Sequence, residues 1–152
     1  MKIALGADNA GRPLKDAIKK HVEQMGHETV DFGLSENDPT ADYPDYAFPA
    51  SEAVASGECD CGILVCGTGI GMSICANKVK GVRGAHVTDC FSAEATRQHN
   101  DANMLALGAR VTGEGLALKI TDIFLSTPYS GAERHTRRIS KITAYEDGCA
   151  GE

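Results

Sequence analysis

The sequence predicts a doubly wound α/β fold of the Rossmann-like kind: a parallel five-stranded sheet, helices on both faces, and a C-terminal helix. Three observations predict it. Short apolar runs alternate with longer segments of helical period. Strands that alternate with helices join through right-handed crossovers into a parallel sheet. The run Cys61-Gly62-Ile63-Leu64-Val65-Cys66 is continuously apolar, as expected of a strand covered on both faces. The 152 residues fit one domain, 1–152, with enough chain to bury a core, and no repeat, low-complexity tract or linker interrupts them.

In chain order, Lys2 to Gly6 reads as a strand and Arg12 to Gln24 as a helix, with Pro13 tolerated in its first turn. Glu28 to Phe32 is a second strand. Gly33 to Ala41, rich in Asn, Asp and Pro, reads as a loop. Tyr43 to Ser56 is a helix that accommodates Pro44, and Pro49 near its start. After the strand at 61–66, glycines at 67, 69 and 71 form a turn that leads into a short helix from about Met72 to Asn77. Val82 to Val87 is the fourth strand, Ser92 to His99 a helix, Asn103 to Leu107 the fifth strand and Glu114 to Leu125 a helix. The stretch from Ala132 to Tyr145 is helical and basic at its start.

Composition excludes several classes. A formal net charge of −6 argues against a nucleic-acid partner. No stretch approaches the roughly 20 apolar residues of a membrane span, and the N-terminal run is too short for a signal-peptide core, so a cytoplasmic protein is expected. Six cysteines, at 59, 61, 66, 75, 90 and 149, are then expected as free thiols. Cys59-Asp60-Cys61 has a single intervening residue and no complementary His or Cys pair, so no metal site is expected.

Ligands in such folds bind beyond the carboxyl ends of the strands, at the point where strand order reverses. Asp8-Asn9, Cys66 to Gly71, Thr88-Asp89 and Gly108-Ala109-Arg110 occupy those ends. The glycine turn exposes successive N–H groups at a helix start, which favours anions or developing negative charge. A cysteine beside such amides is favoured as the thiolate, the form that acts as base or nucleophile. A free cysteine is equally at home as a small buried hydrophobe, and position alone does not separate the two roles for Cys66. The turn also approaches the dinucleotide pattern Gly-x-Gly-x-x-Gly, with Asp89 about 20 residues on, but Met72 stands where the third glycine belongs. A nucleotide-binding module without chemistry is the alternative function of another class.

His99 lies near a helix end among polar residues, where it could exchange protons or simply complement the helix dipole. Arg134 and Arg138 fall four residues apart on one helix face, a spacing suited to phosphate, within an otherwise acidic protein. Asp8 either faces a ligand or caps the first helix. Tyr43 serves as a packing aromatic or as a hydrogen-bond donor to a substrate.

Taken together the motifs resemble the type B ribose-5-phosphate and galactose-6-phosphate isomerase family. They are Gly6-Ala7-Asp8, Asp42-Tyr43-Pro44, Cys66-Gly67-Thr68-Gly69-Ile70-Gly71, Ala76-Asn77-Lys78, Arg97-Gln98-His99-Asn100-Asp101, Leu107-Gly108-Ala109-Arg110-Val111 and Arg134-His135-x-x-Arg138, in that order along nearly the whole chain. The resemblance implies an aldose–ketose isomerase without metal or organic cofactor. It implies a homodimer, or a dimer of dimers, whose last basic cluster reaches the site across the interface. Cys66 would be the base that moves a proton between carbons 1 and 2 through an enediolate. Gly67, Gly69 and Gly71 would supply stabilising amides and Thr68 would move the oxygen-bound proton. Asp8 and His99 would assist ring opening. Asn9, Tyr43 and Asn100 would contact the sugar, and Arg110, Arg134 and Arg138 the phosphate, with His135 nearby. Many members carry His where this chain has Asn9. The expected substrate is ribose 5-phosphate. The alternatives are a hexose 6-phosphate, such as that of galactose or allose, and an unphosphorylated aldose.

Overall fold

The structure is a computed structural model and describes residues 1–36, 38 and 40–148; Cys149 lies outside the described residues. Five strands, β1 (Lys2–Ala7), β2 (Glu28–Asp31), β3 (Cys61–Cys66), β4 (Gly84–His86) and β5 (Met104–Gly108), pair in parallel in the order β2-β1-β3-β5-β4. Six helices join and flank them: α1 (Arg12–Gln24), α2 (Pro44–Ala55), α3 (Ile70–Ala76), α4 (Cys90–Asn100), α5 (Glu114–Ser126) and α6 (Glu133–Glu146). This is the fold class that the alternating pattern predicts.

Side chains of a strand alternate between its faces, and β3 divides the core accordingly. Ile63 and Val65 join Leu14, Ile18, Ile120 and Phe124 in the layer under α1 and α5. Leu64 and Cys66 join Ala50, Met72 and Ala76 in the layer under α2 and α3. β3 lies in the middle of the sheet and is buried along its whole length, which is why its sequence has no polar residue.

Differences from the sequence-derived boundaries have local causes. β4 is three residues long rather than six, and at its start a side chain takes the Arg83 amide that would extend it. The amides of Arg83 and Gly84 donate to the side-chain oxygens of Asn103 and Asn77, at 2.8 and 2.9 Å. α4 begins at Cys90 rather than Ser92, since the Asp89 carboxylate accepts from the Ser92 N–H at 2.8 Å and caps the helix. Pro49 sits inside α2.

The chain runs from β1 to β2 at one edge, crosses back to β3, passes out to β4 at the other edge and returns to β5 between them. The switch point therefore lies between the carboxyl ends of β1 and β3, where Ala7 pairs with Val65. Among the described residues no helix is long and apolar enough to cross a membrane.

Candidate active site

Cys66 closes β3 at the switch point, 5 % exposed, with its side chain on the α2/α3 face. Its Sγ accepts a hydrogen bond from the Gly69 N–H at 3.1 Å, so the turn folds back over the thiol. That closure needs the left-handed backbone of Gly69 (φ +81°), which glycine adopts without strain. A side chain there would also strike His86, whose ring lies 2.7 Å from the position of a Cβ.

Two further close approaches fix the thiol. A Cβ on Gly11 would fall 2.1 Å from the Val65 carbonyl oxygen, so only glycine lets the segment from Asp8 to α1 pass against the end of β3. Asp8 is anchored there, its Oδ1 accepting from the Gly11 N–H at 2.9 Å. On the other side the Ala109 N–H donates to the Cys66 carbonyl at 2.8 Å and the Arg110 N–H to that of Gly67 at 3.0 Å. The Arg110 side chain runs along Gly67, about 3.6 Å from the position of a Cβ. Tyr43, at the start of α2, lays its ring against Gly71. Thr68 is exposed at the crest of the turn. Asp8, Tyr43, Cys66, Thr68 and Arg110 thus form one cluster with the glycine turn.

Asn9 belongs to the same segment and bonds the loop before α2. Its amide nitrogen donates to the Asp38 carbonyl and its oxygen faces the Asp38 N–H at 3.4 Å, so both ends engage the loop before α2. Asp89, the acid of the dinucleotide alternative, is committed to capping α4; its bond from the Ser92 amide holds its proton affinity below the ordinary carboxylate range.

The remaining predicted residues form a second cluster at the opposite end of the sheet. α4 starts beside the carboxyl end of β4 and runs back, so His99 and Asn100 lie just before β5 begins at Met104, whereas Cys66 pairs with Gly108 at its far end. Four strand residues separate those levels by roughly 13 Å. The His99 ring rests against His135 of α6, with centroids 4.5 Å apart and planes inclined at 49°. Arg134 donates from Nε to His135 Nε2 at 3.1 Å, and His135 Nδ1 meets Ser130 Oγ at 2.9 Å. The Asn100 carbonyl accepts from Arg83 Nε at 2.9 Å. Arg134 and Arg138 are exposed, and neither forms an ion pair among the described residues.

Sequence reasoning missed His86. In the sequence it is one residue of an edge strand; only the register, His86 beside Ala106 on the face that carries Cys66, brings its ring over Gly69.

Fold and geometry together define a doubly wound α/β subunit with a thiol-centred cluster at its switch point and a basic cluster displayed apart from it. The chain belongs to the ribose/galactose isomerase family, whose model matches residues 3–142. It is 48 % identical over 145 residues to ribose-5-phosphate isomerase B of Escherichia coli, covering 95 % of this chain and 96 % of that one. Ribose-5-phosphate isomerase B of Clostridium thermocellum superposes with a TM-score of 0.94 at 48 % identity, over 97 % of this chain and 99 % of the other. The Mycoplasma genitalium enzyme of the same name, solved with bound ribulose 5-phosphate, superposes with a TM-score of 0.92 at 41 % identity, over 96 % of each chain.

Proposed function

We propose that this chain interconverts ribose 5-phosphate and ribulose 5-phosphate in the cytoplasm, as one catalytic domain that pairs with a second copy of itself. The observation that carries the chemistry is the buried Cys66 thiol, held at the switch point against the Gly69 N–H with Asp8, Tyr43, Thr68 and Arg110 around it. Similarity to ribose-5-phosphate isomerase B enzymes over nearly the whole chain supports the substrate. The five described cysteines carry free thiols, which agrees with a reducing compartment.

The steps follow from proton bookkeeping. Asp8 and His99 assist opening of the furanose ring by moving the proton of the anomeric hydroxyl to the ring oxygen. The Cys66 thiolate then removes the proton from carbon 2 of the open aldose, and the electron pair moves into the carbonyl to give an enediolate. Amides of the 67–71 turn stabilise the charge that develops on its oxygens. Thr68 passes the hydroxyl proton between oxygens 2 and 1, and the Cys66 thiol returns its proton to carbon 1. Tyr43 and Asn100 contact sugar hydroxyls. The phosphate is held by Arg110 of the same chain together with Arg134 and Arg138.

Arg134 and Arg138, with His99 and Asn100, lie at the far end of their own sheet, so a complete site needs them from a second copy. A two-fold pair supplies both halves twice. Ile70 and Ile74, at 52 and 55 % exposure on the outer face of α3 beside the glycine turn, offer the apolar surface for that contact.

Cys66→Ala tests the reading. Turnover of ribose 5-phosphate and exchange of the carbon-2 proton with deuterated solvent should fall by about a thousandfold or more, with the fold intact by circular dichroism. Turnover at the wild-type rate would overturn the assignment of Cys66. A panel of ribose 5-phosphate, hexose 6-phosphates and free aldoses ranked by kcat/KM tests the substrate, with ribose 5-phosphate expected first and free sugars far behind.

A further inference from the structure

His135 is the most buried residue of the basic cluster, 4 % exposed in a helix whose other basic side chains face solvent. Both ring nitrogens are engaged. Nε2 accepts from Arg134 Nε at 3.1 Å, and a guanidinium has donors only. Nε2 must therefore carry a lone pair, which leaves the proton of the neutral ring on Nδ1. There it is donated to Ser130 Oγ at 2.9 Å, and the Gln98 carbonyl also accepts from the ring. Ser130 is itself fixed, its oxygen receiving the Ala132 N–H at 3.3 Å and its own N–H reaching the Gln98 carbonyl at 3.2 Å. One edge of the ring thus orders the loop before α6, and the other edge holds a cationic side chain.

We propose that His135 is a positioning residue, a neutral Nδ1–H imidazole that aims the Arg134 guanidinium for phosphate and releases it when protonated. The inference rests on the reading of Arg134 as a phosphate ligand. An imidazolium has no acceptor, so gaining a proton breaks the Arg134 bond and sets two cations side by side. The charged or titratable groups that face His135 are His99 from α4 and Arg134 and Arg138 from α6, all cationic when protonated. Burial, then His99, Arg134 and Arg138, hold its proton affinity below the ordinary histidine range, against the opposing pull of the Gln98 carbonyl. The neutral form therefore prevails near neutral pH, and release belongs to the acid side. Its effect falls on binding, because no reacting atom is touched.

The test compares the full-length wild type with His135→Gln, His135→Phe and Ser130→Ala, between about pH 5.5 and pH 8.5. The readouts are the dissociation constant of inorganic phosphate and, for ribose 5-phosphate, KM and kcat. Near pH 8, His135→Phe keeps the bulk but loses the acceptor, and should weaken phosphate and raise KM roughly tenfold while kcat stays within about threefold. His135→Gln keeps an acceptor oxygen near the place of Nε2 without titrating. It should bind phosphate like the wild type at pH 8, and at pH 5.5 it should bind several-fold tighter than the wild type. Both proteins meet the same phosphate, so protonation of the ligand cancels in that ratio. Ser130→Ala should raise KM a few-fold by freeing the other tautomer. If His135→Phe does not fold, the glutamine and alanine variants decide.

A folded His135→Phe with wild-type phosphate affinity would overturn the proposal. So would one shared pH dependence for wild type and His135→Gln, or a fall in kcat with KM unchanged, which would make His135 a proton-transfer group. Phosphate affinity is measured apart from turnover, so a chain that binds phosphate in this pattern but isomerises no sugar would contradict the proposed function and leave the role of His135 standing.

Discussion

The two ends of the sheet are built by different means. At the carboxyl end the backbone does the positioning: Gly11 presses on Val65, Gly108 on Thr68, and Gly69 turns its N–H onto the Cys66 sulfur. At the amino end, side chains hold one another, from Ser130 through His135 to Arg134, with His99 resting against the same ring. The first arrangement rests on close backbone approaches that only glycine permits, and those contacts do not titrate. The second can be loosened by a proton or a single substitution without disturbing the core. Proton abstraction from carbon needs a base held to fractions of an ångström, whereas phosphate capture tolerates adjustment. The division of labour follows the chemistry assigned to each end.

Substitutions that separate the two ends sharpen this contrast. The largest effect should come from Arg134→Ala combined with Arg138→Ala. Loss of two charge-assisted contacts raises KM for ribose 5-phosphate by about a hundredfold or more, with kcat within tenfold and thermal stability unchanged, as steady-state kinetics and calorimetry would show. An equal loss in kcat would place these residues on the reacting atoms and erase the distinction between the ends. Gly11→Ala attacks the backbone end. With a Cβ at 2.1 Å from the Val65 carbonyl, the chain should lose about 3 kcal/mol of stability in urea unfolding and most of its activity together. Activity retained at full stability would show that the approach of the Asp8 segment does not hold the thiol.

A smaller effect is expected away from both ends, at the pair of buried Lys15 with Asp31 at the surface. Lys15 Nζ reaches the two carboxylate oxygens of Asp31 at 2.9 and 2.8 Å, and Lys19 and the Gly33 N–H bind the same carboxylate. Burial pushes the Asp31 proton affinity up, but these partners together outweigh it and hold the carboxyl below its ordinary value of 3.8. A carboxyl lowered on folding stabilises the fold above its unfolded value and loses that contribution as pH falls through the folded one. Asp31→Asn should cost about 2 kcal/mol at neutral pH, since Lys15 keeps only exposed Asp16 as an anionic partner. It should also remove the part of acid destabilisation that lies below pH 3.8. Identical acid unfolding of the variant and the wild type would contradict this.

How much could be read in advance differs between the ends for the same reasons. The place of Cys66 and its turn was legible because a continuous apolar strand followed by three glycines marks a strand end, whereas its role came only from the resemblance of the ordered motifs. The start of β4 was not legible, because Asn103 reaches across from another segment to take the Arg83 amide. His86 was invisible for a related reason: its place over Gly69 depends on register between β4 and β5 rather than on its neighbours in sequence. The bond of Asn9 to Asp38 was not legible either, since its partner lies 29 residues away and no spacing rule indicates it. The basic cluster was legible as chemistry, and its distance from Cys66 within one chain follows from the topology, since α4 must run back across the sheet before β5.

That distance leads to the central claim, that each site is completed by a second copy of the chain. The most direct test is to unfold Cys66→Ala and the Arg134→Ala/Arg138→Ala double variant together in equal amounts, refold them, and assay at ribose 5-phosphate well below the wild-type KM. Half of the random pairs are mixed, and each mixed pair holds one site with both halves intact, so about a quarter of wild-type activity per chain should return from two nearly inactive parents. Activity no greater than that of the parents, with mixed pairs demonstrated by mass, would show that the site lies within one chain and would contradict the account.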